Sequence, residues 1–155
     1  MCNLYSFSKG QQAIIEATRV MQDHTGNLPP LPGIFPDYPA PIVRTGPKGR
    51  ELAMARWGMP SPVFVLKGKK TDPGVTNVRN VKSPHWRRWL GATSRCVVPF
   101  TSFAEPDPTS KVEGGRVPNA WFAGNGDRPL MFFAGLWTPW KGVRKVRDGE
   151  QEYEL

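Results

Sequence analysis

Cysteine and histidine are scarce in this chain, because each occurs only twice in 155 residues. Two cysteines make no disulfide framework, and the scattered cysteines and histidines lack the paired spacing of a zinc site. We therefore expect no metal and no cofactor. The chain also has no apolar run of about 18 residues and no charged-then-apolar leader, which predicts no membrane association and a reducing, cytoplasmic location.

Acidic residues are few relative to basic ones: 13 Asp and Glu stand against 21 Lys and Arg, giving a net charge of +8. This excess favours a polyanionic partner such as nucleic acid, because each cation that neutralises a phosphate releases counterions. Between Lys67 and Arg95 there are eight basic residues and one acid, Asp72, interleaved with Trp86 and Trp89. Cations for phosphates and rings for bases are typical of single-strand binding.

The two tryptophans of this basic stretch have a second interpretation, because a pair at helical spacing is often part of a core. Ser83 and Pro84 are a helix start signal and Gly91 a stop, which predicts a short helix between them. The more secure DNA-binding candidates are then the arginines, Arg79, Arg87 and Arg88.

Long helices are not expected, since 17 Pro and 16 Gly interrupt the chain. One helix is predicted over residues 9–22, capped by Ser8, and residues 29–41 read as an extended proline-rich segment without regular structure. Residues 40–44 and 51–57 predict a hairpin that turns at residues 46–49. Residues 120–123 and 129–136 predict a second hairpin, and residues 141–147 a basic loop.

Two further residues stand at strand ends. Trp57 is either a core residue or a platform for a nucleic-acid base. Residues 95–100 read as a buried strand in which Cys96 is an inert core residue, and Glu105 follows just past it, where site residues are often displayed.

The chain begins Met1-Cys2. Loss of Met1 would leave a residue that carries an α-amine and a thiol two carbons apart. Their ordinary pKa values, about 7.7–8.0 and about 8.5, keep both nucleophiles partly available at neutral pH. Cys2 is therefore the candidate catalytic residue.

A set of motifs spread over most of the chain resembles the SOS-response-associated peptidase (SRAP) family. The motifs, in chain order, are Met1-Cys2-Asn3-Leu4-Tyr5, Arg56-Trp57-Gly58, Asn77-Val78-Arg79, Ser83-Pro84 through Trp86-Arg87-Arg88-Trp89-Leu90, Arg95-Cys96-Val97-Val98-Pro99, Phe103 to Glu105, and Phe133-Ala134-Gly135-Leu136-Trp137.

The resemblance implies a single domain over residues 1–155 with an α+β fold, namely a β-rich mixed sheet or open barrel with short flanking helices. It also implies loss of Met1 and covalent linkage of Cys2 to abasic sites in single-stranded DNA, as a thiazolidine. By the same resemblance Asn77 orients the terminus and the sugar, Arg79 holds a flanking phosphate, Glu105 moves protons, and Trp57 lies along the DNA path. A nucleoid-associated monomer is expected.

The chain departs from the family pattern at one point. The pattern continues with a further strand and a motif that supplies a catalytic histidine, whereas this chain stops at residues 151–155. His24 and His85 do not match that motif. Either the chain is a fragment that lacks the C-terminal part of the domain, or this member lacks the histidine. An incomplete sheet would expose an edge that is prone to pairing.

Two other functions compete with this one. In an N-terminal-nucleophile amidohydrolase the amine of Cys2 acts as the base, and ammonia is released from glutamine without a stable DNA adduct. In a noncovalent single-strand binding module Cys2 is incidental, and the complex dissociates in SDS.

Overall fold

The computed structural model describes residues 3–146 and 149–154. Within them the strands are β1 (Leu4–Phe7), β2 (Gln22–Asp23), β3 (Leu31–Ile34), β4 (Pro39–Gly46), β5 (Gly49–Arg56), β6 (Arg95–Phe100), β7 (Ser102–Pro106), β8 (Asn119–Phe122), β9 (Met131–Leu136), β10 (Lys141–Val146) and β11 (Gly149–Glu154). The helices are α1 (Gln11–Thr18), α2 (Val63–Leu66) and α3 (Pro84–Arg87). None of the helices in this part of the chain is long and apolar enough to cross a membrane.

Two main sheets and one separate hairpin make up the fold. The strand orders are β3-β1-β7-β8 in a four-stranded sheet and β2-β5-β4-β6-β9 in a five-stranded sheet, while β10 pairs with β11. All pairs are antiparallel except β2 with β5, which makes the larger sheet mixed. The expected β-rich α+β class is confirmed, and the described strands form open sheets that do not close into a barrel.

The core lies where side chains of the two sheets meet. Tyr5 and Phe7 of β1 are buried there together with Leu52 of β5 and Phe100 of β6. Phe133 of β9 stacks on Phe100 with ring centroids 3.7 Å apart. The strand that begins the described chain is therefore fixed by core packing, which holds the residues next to it in place.

The first helix is shorter than predicted. It ends at Arg19, which adopts a left-handed conformation (φ 53°), and the following residues leave the helix to pair with β5 as strand β2. Ser8 does not cap the helix, because its hydroxyl hydrogen-bonds the Thr101 hydroxyl at 3.0 Å, and Gly10 is the N-cap residue. The pairing of Met21 with Arg50 overrides the helical pattern of residues 20–22.

The hairpin of β4 and β5 is confirmed, with Gly46 paired to Gly49 across the turn. The second predicted hairpin is wrong, because β8 and β9 belong to different sheets: β8 pairs with β7 and β9 pairs with β6. Aromatic packing explains the difference. Phe122 of β8 stacks on Phe103 of β7, with ring centroids 5.4 Å apart, and this contact favours pairing of β8 with β7 over pairing with β9, the next strand along the chain.

The proline-rich segment contains regular structure that was not predicted, since residues 31–34 form β3. This strand is at the edge of its sheet, where Pro32 can lack an amide donor without breaking a ladder. Ile34 is buried opposite Tyr5. Phe35 and Tyr38 are exposed, and their ring centroids are 5.5 Å apart. The basic loop predicted at residues 141–147 is also wrong, because residues 141–146 form strand β10.

Candidate functional site

Strand β7 places Glu105 beside the start of β1. Leu4 of β1 pairs with Ala104 of β7 in an antiparallel register. Glu105, the next residue of β7, therefore lies toward the end of β1 at which the described chain begins. Glu105 is half-buried within β7, opposite Ala120 of β8, so it does not follow a strand end as predicted. Cys2 lies outside the described residues.

Trp57 and Asn77 are both hydrogen-bonded to Thr76. The indole Nε1 of Trp57 donates a hydrogen bond to the Thr76 carbonyl at 3.1 Å, and Asn77 Nδ2 donates to the Thr76 hydroxyl at 3.0 Å. The Trp57 ring also contacts Tyr5 of β1 edge to face, with centroids 5.1 Å apart. Tyr5 of β1 therefore contacts Trp57, which shares Thr76 with Asn77 as a hydrogen-bond partner. The same strand, β1, pairs beside Glu105.

Trp57 agrees in part with the core interpretation, and its role as a platform for a base stays a prediction. It is half-buried and packs against the core cluster, so one edge of the ring is a core contact. Its preceding residue, Arg56, is ion-paired with Asp37 through Nη2 at 2.6 Å, which holds the end of β5 against the loop after β3.

The predicted DNA-binding arginines are exposed, whereas the tryptophans between them are not. Trp86 and Trp89 are 6% and 9% exposed, and both pack around the ring of His85. The core interpretation of this pair is therefore confirmed. Arg88 lies with its guanidinium 3.9 Å from the Trp89 ring centroid, and Arg79 and Arg87 are on the surface.

A family model described as SOS response associated peptidase (SRAP) matches residues 1–154. The chain belongs to this family. The SRAP chain is also similar in fold to a solved structure of a protein from Bordetella bronchiseptica, with a TM-score of 0.59 and 21% identity over 91% of this chain. This chain spans 65% of that protein's length. A search of curated proteins found no match.

Sequence reasoning missed one residue of the SRAP chain, Arg144 of β10. It is 2% exposed, and its guanidinium donates hydrogen bonds to the carbonyls of Gly58 at 2.7 Å and Asp72 at 2.9 Å. It is also ion-paired with the carboxylate of Asp72 at 3.2 Å and with that of Asp37 at 3.7 Å. No sequence signal could have found it, because its partners lie far away in the chain.

The contacts of Arg144 help to explain why the pKa values of Asp72 and of Arg144 itself are shifted. Burial alone would raise the pKa of the Asp72 carboxyl, but hydrogen bonds from Ser61 and Gly74 together with Arg144 hold that pKa below its ordinary value. Burial lowers the pKa of Arg144, and the two aspartates oppose that effect. Gly74 has φ +74°, and a Cβ there would lie 2.6 Å from Arg144 Nη1, so only glycine fits.

Cys96 is buried, and burial raises the pKa of its thiol to about 12, which fits the inert role expected of it. Among the described residues, no group of three or more His, Cys, Asp or Glu side chains is placed to hold a metal ion.

Proposed function

We propose that this SRAP-family protein loses Met1 and then links covalently through Cys2 to abasic sites in single-stranded DNA. The observation that supports the proposal is the position of β1, which pairs beside Glu105 on one edge and contacts Trp57 through Tyr5. Asn3 begins the described chain, and consecutive Cα atoms are about 3.8 Å apart. Cys2 is joined to Asn3, and the proposal requires its amine and thiol to reach these side chains.

The chemistry uses two nucleophiles on one residue. Hydrolysis of the Met1–Cys2 peptide bond consumes one water and frees the α-amine of Cys2. The amine adds to the aldehyde of the open abasic sugar and expels water as an imine, and the thiol then adds to the imine carbon while its proton passes to the nitrogen. The product is a five-membered thiazolidine. Effective molarities of about 10⁵–10⁸ M for well-oriented groups favour this ring closure.

The neighbouring residues have distinct roles in this proposal. Glu105 moves the protons that the amine gains and loses, since a half-buried carboxylate suits general acid and base catalysis. Asn77 offers an amide for orienting the sugar. Arg79, Arg87 and Arg88 are exposed cations that bind the DNA phosphates. Trp57 lies along the path of the DNA strand. The peptidase activity that the family name indicates would be limited to the protein's own Met1.

Intact-mass spectrometry tests the proposal directly. The protein is incubated with a single-stranded oligonucleotide that contains one abasic site and, separately, with the same oligonucleotide carrying a normal base. We expect a species of the mass of protein without Met1, plus oligonucleotide, minus one water, with the abasic strand alone. Cys2→Ala should abolish this species.

The second cysteine supplies the matched control. Cys96→Ala removes the other thiol of the chain and should leave the adduct intact. An adduct that survives in Cys2→Ala, or Met1 retained on the folded protein, would refute the proposal. A complex that disappears in SDS would favour the noncovalent module, and ammonia release from glutamine would favour the amidohydrolase.

A further inference from the structure

A groove of about 580 Å³ lies between residues 60–72, the two residues that follow α3, and residues 138–143. Of the described candidate residues, Arg88 lines it, whereas Trp57, Asn77, Arg79 and Glu105 do not. Its volume is in the range of small-molecule and cofactor sites.

One side of the groove is basic. Lys69 and Lys70 are exposed on the loop after α2, Arg88 directly follows α3, and Lys141 of β10 also lines the groove. The acid in the lining is Asp72, and its carboxylate is already engaged: it accepts hydrogen bonds from the backbone amides of Ser61 at 2.9 Å and Gly74 at 2.7 Å, besides its ion pair with Arg144. Among the residues that line the groove, the lysines and Arg88 outnumber this single acid, so an anion is favoured there.

The other side is apolar. Val63 and Leu66 of α2 face Trp140, and Val63 is 82% exposed. The Arg144 guanidinium lies 4.4 Å from the Trp140 ring centroid and supports this ring from within. An apolar wall beside a cluster of cations matches a ligand that has a flat apolar part and a phosphate.

We propose that this groove, the Lys69–Trp140 groove, binds one nucleotide. The phosphate lies at Lys69, Lys70 and Arg88, and the base lies against Val63, Leu66 and Trp140. The nucleotide is either free or a unit of the single strand that flanks the abasic site, and only the second case rests on the proposed function. Arg144 joins the two regions, because it donates hydrogen bonds to the carbonyl of Gly58, next to Trp57, and to that of Asp72, in the groove lining.

Binding of an undamaged strand tests the groove apart from the covalent chemistry, because such a strand carries no aldehyde. Fluorescence anisotropy with a labelled oligothymidylate compares the unaltered chain with the double variant Lys69→Glu, Lys70→Glu. The matched control, Lys111→Glu with Arg116→Glu, makes the same change of charge on the exposed loop that follows β7. We expect the groove variant to lose about tenfold or more in affinity and the control far less. Equal losses in the two variants, together with binding of thymidine 5′-monophosphate that the groove variant does not weaken, would overturn the proposal.

Competition experiments separate the parts and sources of the ligand. Thymidine 5′-monophosphate should displace the labelled strand better than inorganic phosphate does, and Leu66→Ala should remove that advantage. Inorganic phosphate that competes equally well would overturn the assignment of a base to the apolar wall. Monophosphate that binds in the groove without displacing the strand would show that the groove takes free nucleotide.

The abasic-strand reaction keeps the two proposals distinguishable. If the groove variant binds undamaged strands normally while the unaltered protein still forms its adduct, the groove fails and the proposed function stands. If the groove variant loses affinity while Cys2→Ala forms the adduct normally, the groove stands and the proposed function fails.

Discussion

At the scale of single residues, Glu105 offers the sharpest test of mechanism. Its position in β7 beside the first strand suits proton transfer, and removal of a general acid or base commonly slows a reaction by about 10²–10⁴-fold. We expect Glu105→Gln to slow adduct formation by about 10²-fold, measured by quenching the reaction with SDS at intervals. Glu113→Gln, in the exposed loop after β7, is the matched control. A rate unchanged in Glu105→Gln would remove this carboxylate from the mechanism.

The two cysteines should differ in reactivity. The pKa of Cys96 is raised to about 12 in the folded chain, so its thiolate is rare at pH 8. We expect iodoacetamide to modify one cysteine in the native protein, at Cys2, and both after denaturation, as counted by mass spectrometry. Modification of Cys96 in the native protein would contradict this burial.

The same shift makes stability depend on pH. The ordinary pKa of the Cys96 thiol is 9.0, and the folded state holds its proton more tightly than the unfolded state does. The stabilisation is therefore complete below pH 9 and declines between pH 9 and about 12. Urea unfolding at pH 8 and pH 10.5, compared between the unaltered chain and Cys96→Ala, should show a smaller pH-dependent loss in the variant. Equal losses would assign the effect to other groups.

At the scale of elements, Arg144 joins β10 to the loops that carry Gly58 and Asp72. Removing one partner of a buried ion pair commonly costs about 3–5 kcal/mol, because the other charge stays buried and uncompensated. We expect Arg144→Met to lower the free energy of unfolding by that amount in urea, and Arg144→Met combined with Asp72→Asn to recover part of it. A double variant less stable by the sum of the single changes would show that the two residues are not coupled.

Features that depend on local sequence could be predicted, whereas features that depend on contacts between distant residues could not. The β4–β5 hairpin was predictable, because Gly46 and Gly49 bound a short turn between two strands. The separation of β8 from β9 was not, since it depends on Phe122 packing on Phe103 and not on the turn between the strands. The site residues were named through family motifs, whereas Arg144 has partners more than 70 residues away and carries no motif.

At the scale of the whole molecule, each main sheet ends in an apolar edge. In the described part of the chain β9, with the sequence Met-Phe-Phe-Ala-Gly-Leu, pairs on one side only, with β6, and β8 pairs only with β7. Trp121, Phe122 and Met131 are also exposed near these edges. Such an edge is a template for another strand.

We therefore expect the monomer predicted from the sequence to associate as its concentration rises, as measured by light scattering after size-exclusion chromatography. Ala134→Lys places a charge at an exposed position in the middle of β9 and should shift the equilibrium back to monomer, because a lysine on an edge strand opposes pairing. Ala123→Lys, at an exposed position in the connection between β8 and β9, is the matched control and should leave association unchanged. Association that Ala134→Lys does not reduce would exclude the β9 edge as the contact. In that case β8, with Trp121 and Phe122 exposed, would be the edge to test with the same measurement.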